Sequence, residues 1–179
     1  MKTVFILLIF FSALMADRDG GPYIGVGYGT STYDDAALYN ALIENSSGAA
    51  TFYFGAYINK HLSVELSYAS FDAWHFQNGY QTDINTTLGF GALSVSTLAH
   101  YAFFDDSLDF YAKFGVGEIS LGGLESKGFT MLYGIGVGYR LNKYMSLKVA
   151  YDIYTFSYEK TSRYDMQIDY MYSAIEVQF

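Results

Sequence analysis

The side chains able to do chemistry are few and scattered. The histidines are His61, His75 and His100, too far apart to share one metal ion. The chain has no cysteine, so thiolate zinc sites and disulfides are both excluded. Acidic pairs stand at Asp34-Asp35 and Asp105-Asp106. Neither shows the alternating oxygen ligands of a calcium loop, and both read as solvated turn or loop faces. Gly25, Gly27 and Gly29, like Gly134, Gly136 and Gly138, repeat at a strict spacing of two. No helix follows either run, so neither is a dinucleotide-binding turn. Glycine at that spacing leaves room for opposing side chains on one face of a strand. No catalytic centre, cofactor or metal is expected, and the chain is not expected to be an enzyme. The formal charge of -8 argues against nucleic acid as a partner.

One segment stands out for recognition. Residues 70–83 carry Trp74, Phe76 and Tyr80 in an otherwise polar stretch. They would form a binding patch, or else line a strand pair continuing above a membrane.

The elements that must position these groups are read from period-two alternation. The chain has 179 residues, 51% hydrophobic and 20% aromatic, with one proline. Eight stretches alternate: 23–30, 51–58, 62–69, 93–101, 110–117, 133–140, 147–153 and 171–179. In each, one face is apolar and the other is polar or glycine-rich. Short turns are expected at 59–61, 104–107 and 142–143, and long polar loops near 31–49, 70–85, 118–128 and 155–165. Short turns on one rim and long loops on the other are the outer-membrane pattern. Aromatics at strand ends (Tyr28, Tyr68, Tyr101, Tyr139, Tyr151 and Phe179) fit interfacial girdles. The fold class is therefore all-β, an eight-stranded antiparallel up-and-down transmembrane barrel of residues 17–179. Residues 1–16 read as a signal peptide: one lysine, a 14-residue apolar run too short to span as a helix, and Ala16 before Asp17.

Parity then places charges inside. Glu65, Lys113 and Lys148 on rising strands, and Arg140 and Glu176 on descending ones, all fall on the inward face near the lower rim. Strands three and seven lie on opposite walls, so Glu65 and Lys148 are expected to meet across the axis, with Asp152 or His100 joining them.

Several of these segments resemble the OmpA-type barrels, within the small outer-membrane barrels that include OmpX-like and opacity-type proteins. Leu108-Asp-Phe-Tyr-Ala-Lys-Phe-Gly115 resembles that family's fifth strand, Val64-Glu-Leu-Ser-Tyr68 its third, and Gly136–Tyr139 with Leu147–Tyr151 its sixth and seventh. Tyr172-Ser-Ala-Ile-Glu-Val-Gln-Phe179 resembles its C-terminal assembly signal, with Tyr172, Val177 and Phe179 as the signal residues. Leu98 and Gly138 replace two of the family's interior charges, and a barrel without the family's peptidoglycan-binding domain is expected. His61-Leu-Ser63 is similar to the His-x-Ser of lipid A deacylases, but lies at the wrong end of a strand.

The resemblance implies a monomeric barrel in the outer membrane of a Gram-negative bacterium with extracellular loops. Its partners would be outer-membrane lipids and lipopolysaccharide, periplasmic chaperones and the barrel-assembly machinery. Divalent cations could bridge loop-one carboxylates to lipopolysaccharide phosphates. The function expected is structural and surface-displaying, with an extracellular ligand in adhesion or recognition. The alternatives are a narrow ion channel and a lipid A-modifying enzyme.

Overall fold

The computed structural model describes residues 20–34, 46–74, 88–104, 107–121, 127–156 and 166–179. The signal-peptide segment, Asp35, His75, Phe76, Tyr80 and Asp105-Asp106 lie outside them. The strands are β1 (Gly21–Asp34), β2 (Ser46–Asn59), β3 (Leu62–Trp74), β4 (Leu88–Phe103), β5 (Leu108–Leu121), β6 (Lys127–Arg140), β7 (Met145–Phe156) and β8 (Met166–Gln178). Each pairs antiparallel with the next, and β8 pairs with β1 to close a barrel. The proline, Pro22, is the second residue of β1, where a missing donor costs little.

The registers fix the geometry. Following partners from Gly25 through Tyr53, Ser67, Ser94, Gly117, Thr130 and Phe156 leads to Met166 in β8. Gly25 itself pairs with Glu176. The offset, 176 minus 166, is a stagger of ten residues. With about 3.3 Å per residue and 4.8 Å between strands, that stagger over eight strands tilts them by about 40°. A 14-residue strand then stands about 35 Å tall, against an apolar band of about 25 Å.

The strands accordingly run past the bilayer, which corrects the expected loops. Residues 31–34, 46–49, 70–74, 118–121, 127–128 and 155–156 are strand rather than loop. They were illegible as such because the alternation inverts there. On β1 the outward residues are Ile24, Val26 and Tyr28, then Thr32 and Asp34. On β5, outward Phe114 and Val116 give way to Glu118, while Ile119 turns inward and is buried. Outward polar and inward apolar is the arrangement of a water-soluble sheet.

The lower rim is made of tight turns. Asn59 Oδ1 accepts from the His61 N–H at 2.8 Å, and Asn142 Oδ1 from the N–H groups of Tyr144 and Met145 at 2.9 and 3.0 Å. Such side-chain-to-backbone bonds replace a turn's own bonds. The exposed outward aromatics Tyr28, Tyr68 and Phe129 lie toward the upper ends of their strands, and Tyr101, Phe104, Tyr139 and Phe179 toward the lower.

Candidate functional site

Three described layers fill the lumen. In a staggered barrel, diagonal neighbours lie level, so groups several residues apart in register share a height. In the middle layer, Lys113 Nζ from β5 lies 3.0 Å from Glu65 Oε1 on β3 and 3.1 Å from Asp152 Oδ2 on β7. Tyr172 of β8 joins them, its hydroxyl 3.2 Å from Lys113 Nζ and 3.1 Å from Asp152 Oδ2. One ammonium thus links three walls. The Tyr23 hydroxyl donates to Glu65 Oε2 at 3.3 Å.

Below, Lys148 of β7 pairs with Glu176 of β8. Its Nζ sits over the rings of Tyr23, Tyr53 and Tyr111, 5.1–5.8 Å from their centroids. Ring faces at that distance attract a desolvated cation. Glu176 also accepts from the Tyr57 hydroxyl at 3.0 Å. Charges this deep are tolerable only when paired and hydrogen-bonded, and these are.

The upper layer is aromatic and aliphatic. Phe71 packs edge-on against Tyr154 and Tyr170, with centroids 5.4 and 5.6 Å apart, and Tyr170 stacks on Tyr172 at 4.6 Å. Phe90 bridges Tyr33 and Phe156, and Ile119, Leu132 and Ile168 are fully buried.

The expected cluster is therefore split. Glu65 meets Lys113, not Lys148, because the stagger brings β3 and β5 side chains level while Lys148 is held lower by Glu176. Arg140 sits at the lower rim, half-buried, with Nη2 donating to Gln178 Oε1 at 3.3 Å. It lines the lower mouth of the lumen with Tyr57, Asp109 and Lys148. Asp152 is a full member of the middle layer. Leu98 is inward and buried, and Gly138 lies opposite Lys148.

Of the terminal residues, Tyr172 points into the lumen. Val177 pairs with Ile24, and the Phe179 N–H donates to Pro22 O at 2.9 Å. Trp74 ends β3.

Parity alone did not reveal two features. Tyrosines face glycines across the seams: Tyr53 over Gly25, Tyr23 over Gly55 and Tyr111 over Gly136. The glycine runs were a signal for such large partners. The other feature is a linked Ser63, His100 and Asp109 at the lower end. Ser63 thus bonds His100, while His61 is exposed in its turn. A shallow concavity of about 630 Å³ lies on the lipid-facing wall, over Phe110, Ala112, Ile135, Val149 and Met171.

Closed sheet, outward apolar belt and paired inward charges define an integral outer-membrane β-barrel. The chain belongs to the outer membrane protein beta-barrel domain family, whose model matches residues 3–177. Among solved structures it is similar to Neisserial surface protein A, with a TM-score of 0.63 at 14% identity, covering 89% of this chain and 97% of that one. It is also similar to Ail, the attachment invasion locus protein of Yersinia pestis, with a TM-score of 0.57 at 13% identity, covering 90% and 99%. A third is OprG of Pseudomonas aeruginosa, with a TM-score of 0.52 at 13% identity, covering 92% and 99%. No curated protein sequence matches the chain.

Proposed function

We propose that this barrel is a surface-display protein whose interior network keeps the lumen shut while its outer rim recognises a ligand. The observation that carries this reading is the filled lumen. Lys113 ties β3 to β5 and β7, and rings close over it. The strands meanwhile continue beyond the apolar belt, as a rigid support for the segments between them.

The rim has a chemical character. Segments 31–49, 70–87, 118–128 and 155–169 hold ten acidic and three basic residues, a balance of -7. Asp34, Asp72 and Glu118 are exposed among the described residues. An acidic rim favours a basic partner and repels polyanions. The similar barrel Ail carries attachment and invasion in its name, which supports this reading.

The test is binding of bacteria displaying the barrel to host cells and matrix proteins. Replacing 75–87 by a short Gly-Ser linker should abolish binding and leave insertion intact. Equal binding by the replaced variant would overturn the recognition role. Sustained conductance of the unmodified barrel in planar bilayers would overturn the closed lumen.

A further inference from the structure

The lower lumen holds a constellation that surface recognition does not use. Ser63 Oγ lies 2.8 Å from His100 Nε2, and His100 Nδ1 lies 2.8 Å from Asp109 Oδ2. An ionised carboxylate only accepts, so in the neutral imidazole Nδ1 carries the proton and Nε2 offers its lone pair to the serine hydroxyl. The three residues come from the lower ends of β3, β4 and β5 and sit on one diagonal. Ser63 is opposite Leu98, and Asp109 opposite Ala102, so His100 stands two residues from each. A hydroxyl with an adjacent base, itself oriented by a carboxylate, is the arrangement that activates serine for acyl transfer. The Tyr23 hydroxyl, which donates to Glu65, lies 3.3 Å from Ser63 Oγ and is a polar neighbour of the reacting oxygen.

The group is shut in. Ser63 is 0% exposed, His100 5% and Asp109 6%. The Tyr57 ring lies against His100, with centroids 5.1 Å apart. Tyr57 also lines a pocket of about 10 Å³ at the periplasmic mouth with Ser107, Asp109, Arg140 and Lys148. Tyr57 is also the register partner of Ser63 across the β2–β3 seam, so its ring adjoins both the mouth and the His100 ring.

We propose that Ser63, His100 and Asp109 form a latent serine nucleophile, covered by Tyr57, that takes small acyl esters from the periplasmic side. Ser63 Oγ bonds to the carbonyl carbon as its proton passes to His100 Nε2. The ester C–O bond breaks, and the departing oxygen takes that proton and leaves as the alcohol. Water then attacks the acyl-serine and gives a proton to His100, which returns it to Ser63 Oγ as the carboxylic acid departs.

The experiment uses the full barrel refolded in detergent, with 4-nitrophenyl acetate as the probe. Acetylation of Ser63 is read by peptide mass, and 4-nitrophenolate release by absorbance. Tyr57→Ala should acetylate Ser63 faster than wild type. Adding His100→Ala should lower that rate by about a hundredfold, and Asp109→Asn should lower it as well. If Tyr57→Ala does not refold by heat-modifiability, Tyr57→Leu is read in the same way. No Ser63 adduct in the opened variant, or an adduct rate indifferent to His100, would overturn the proposal.

Discussion

Gly25 and Tyr53 face each other across the β1–β2 seam so closely that a β-carbon on Gly25 would stand 2.1 Å from the ring's Cζ. Two residues along, Tyr23 covers Gly55 in the same way, at 2.2 Å. Large side chains thus lie in the slots that glycines leave. Gly25→Ala should cost about 1–3 kcal/mol, as overpacking does, in equilibrium denaturant unfolding. Gly138→Ala is the control: its nearest contact would be 3.5 Å, to Lys148 Cγ, and its stability should stay near wild type. Equal losses at both positions would show that the slots are not the cause.

Lys113 is the cation shared by Glu65 and Asp152. Lys113→Met leaves two buried carboxylates uncompensated and should cost about 3–5 kcal/mol. Adding Glu65→Gln should recover part of that loss. A double variant no better than the single one would mean that charge is not what the lysine supplies.

Ile135 is 65% exposed on the outward face of β6, between the exposed aromatics Phe129 and Tyr139. Ile135→Arg should destabilise the barrel in lipid vesicles by about 2–4 kcal/mol. The measurement is reversible unfolding in vesicles, and unchanged stability would contradict the lipid-facing assignment.

Ail has been crystallised with the heparin analogue sucrose octasulfate. The acidic rim of this chain should repel the same compound. Calorimetry at about 0.15 M salt, where charges are screened beyond roughly 8 Å, should show no binding. Saturable heat would refute the electrostatic reading.

Phe179 extends the β1–β8 seam by one more bond, to Pro22. Deleting Phe179 should slow assembly in cells, read as less heat-modifiable barrel in the outer membrane. Normal amounts would remove it from the assembly signal.

The membrane-spanning half was legible because lipid imposes one rule on the outward face. Ile24, Val26, Phe52, Phe54, Leu66 and Val95 announce their strands by type and spacing. Above the bilayer the rule reverses, and Thr32, Asp34 and Asp72 read as loop. Parity put Glu65, Lys113, Lys148 and Glu176 inside, but parity carries no height. Which lysine met which carboxylate depended on the stagger, a property of all eight registers together. The Ser63–His100–Asp109 link was hidden for the same reason, since its members lie on three strands and meet only on a diagonal.

The reversal of polarity along each strand also acts as a vertical lock. If the barrel slid two residues deeper, Thr32, Asp72 and Glu118 would enter hydrocarbon while apolar groups emerged below. If it rose by as much, Tyr28, Tyr68 and Val116 would meet water. Displacement either way meets a restoring force summed over eight strands, so the molecule reads the thickness of its bilayer and holds its outer rim at a set height above the lipid.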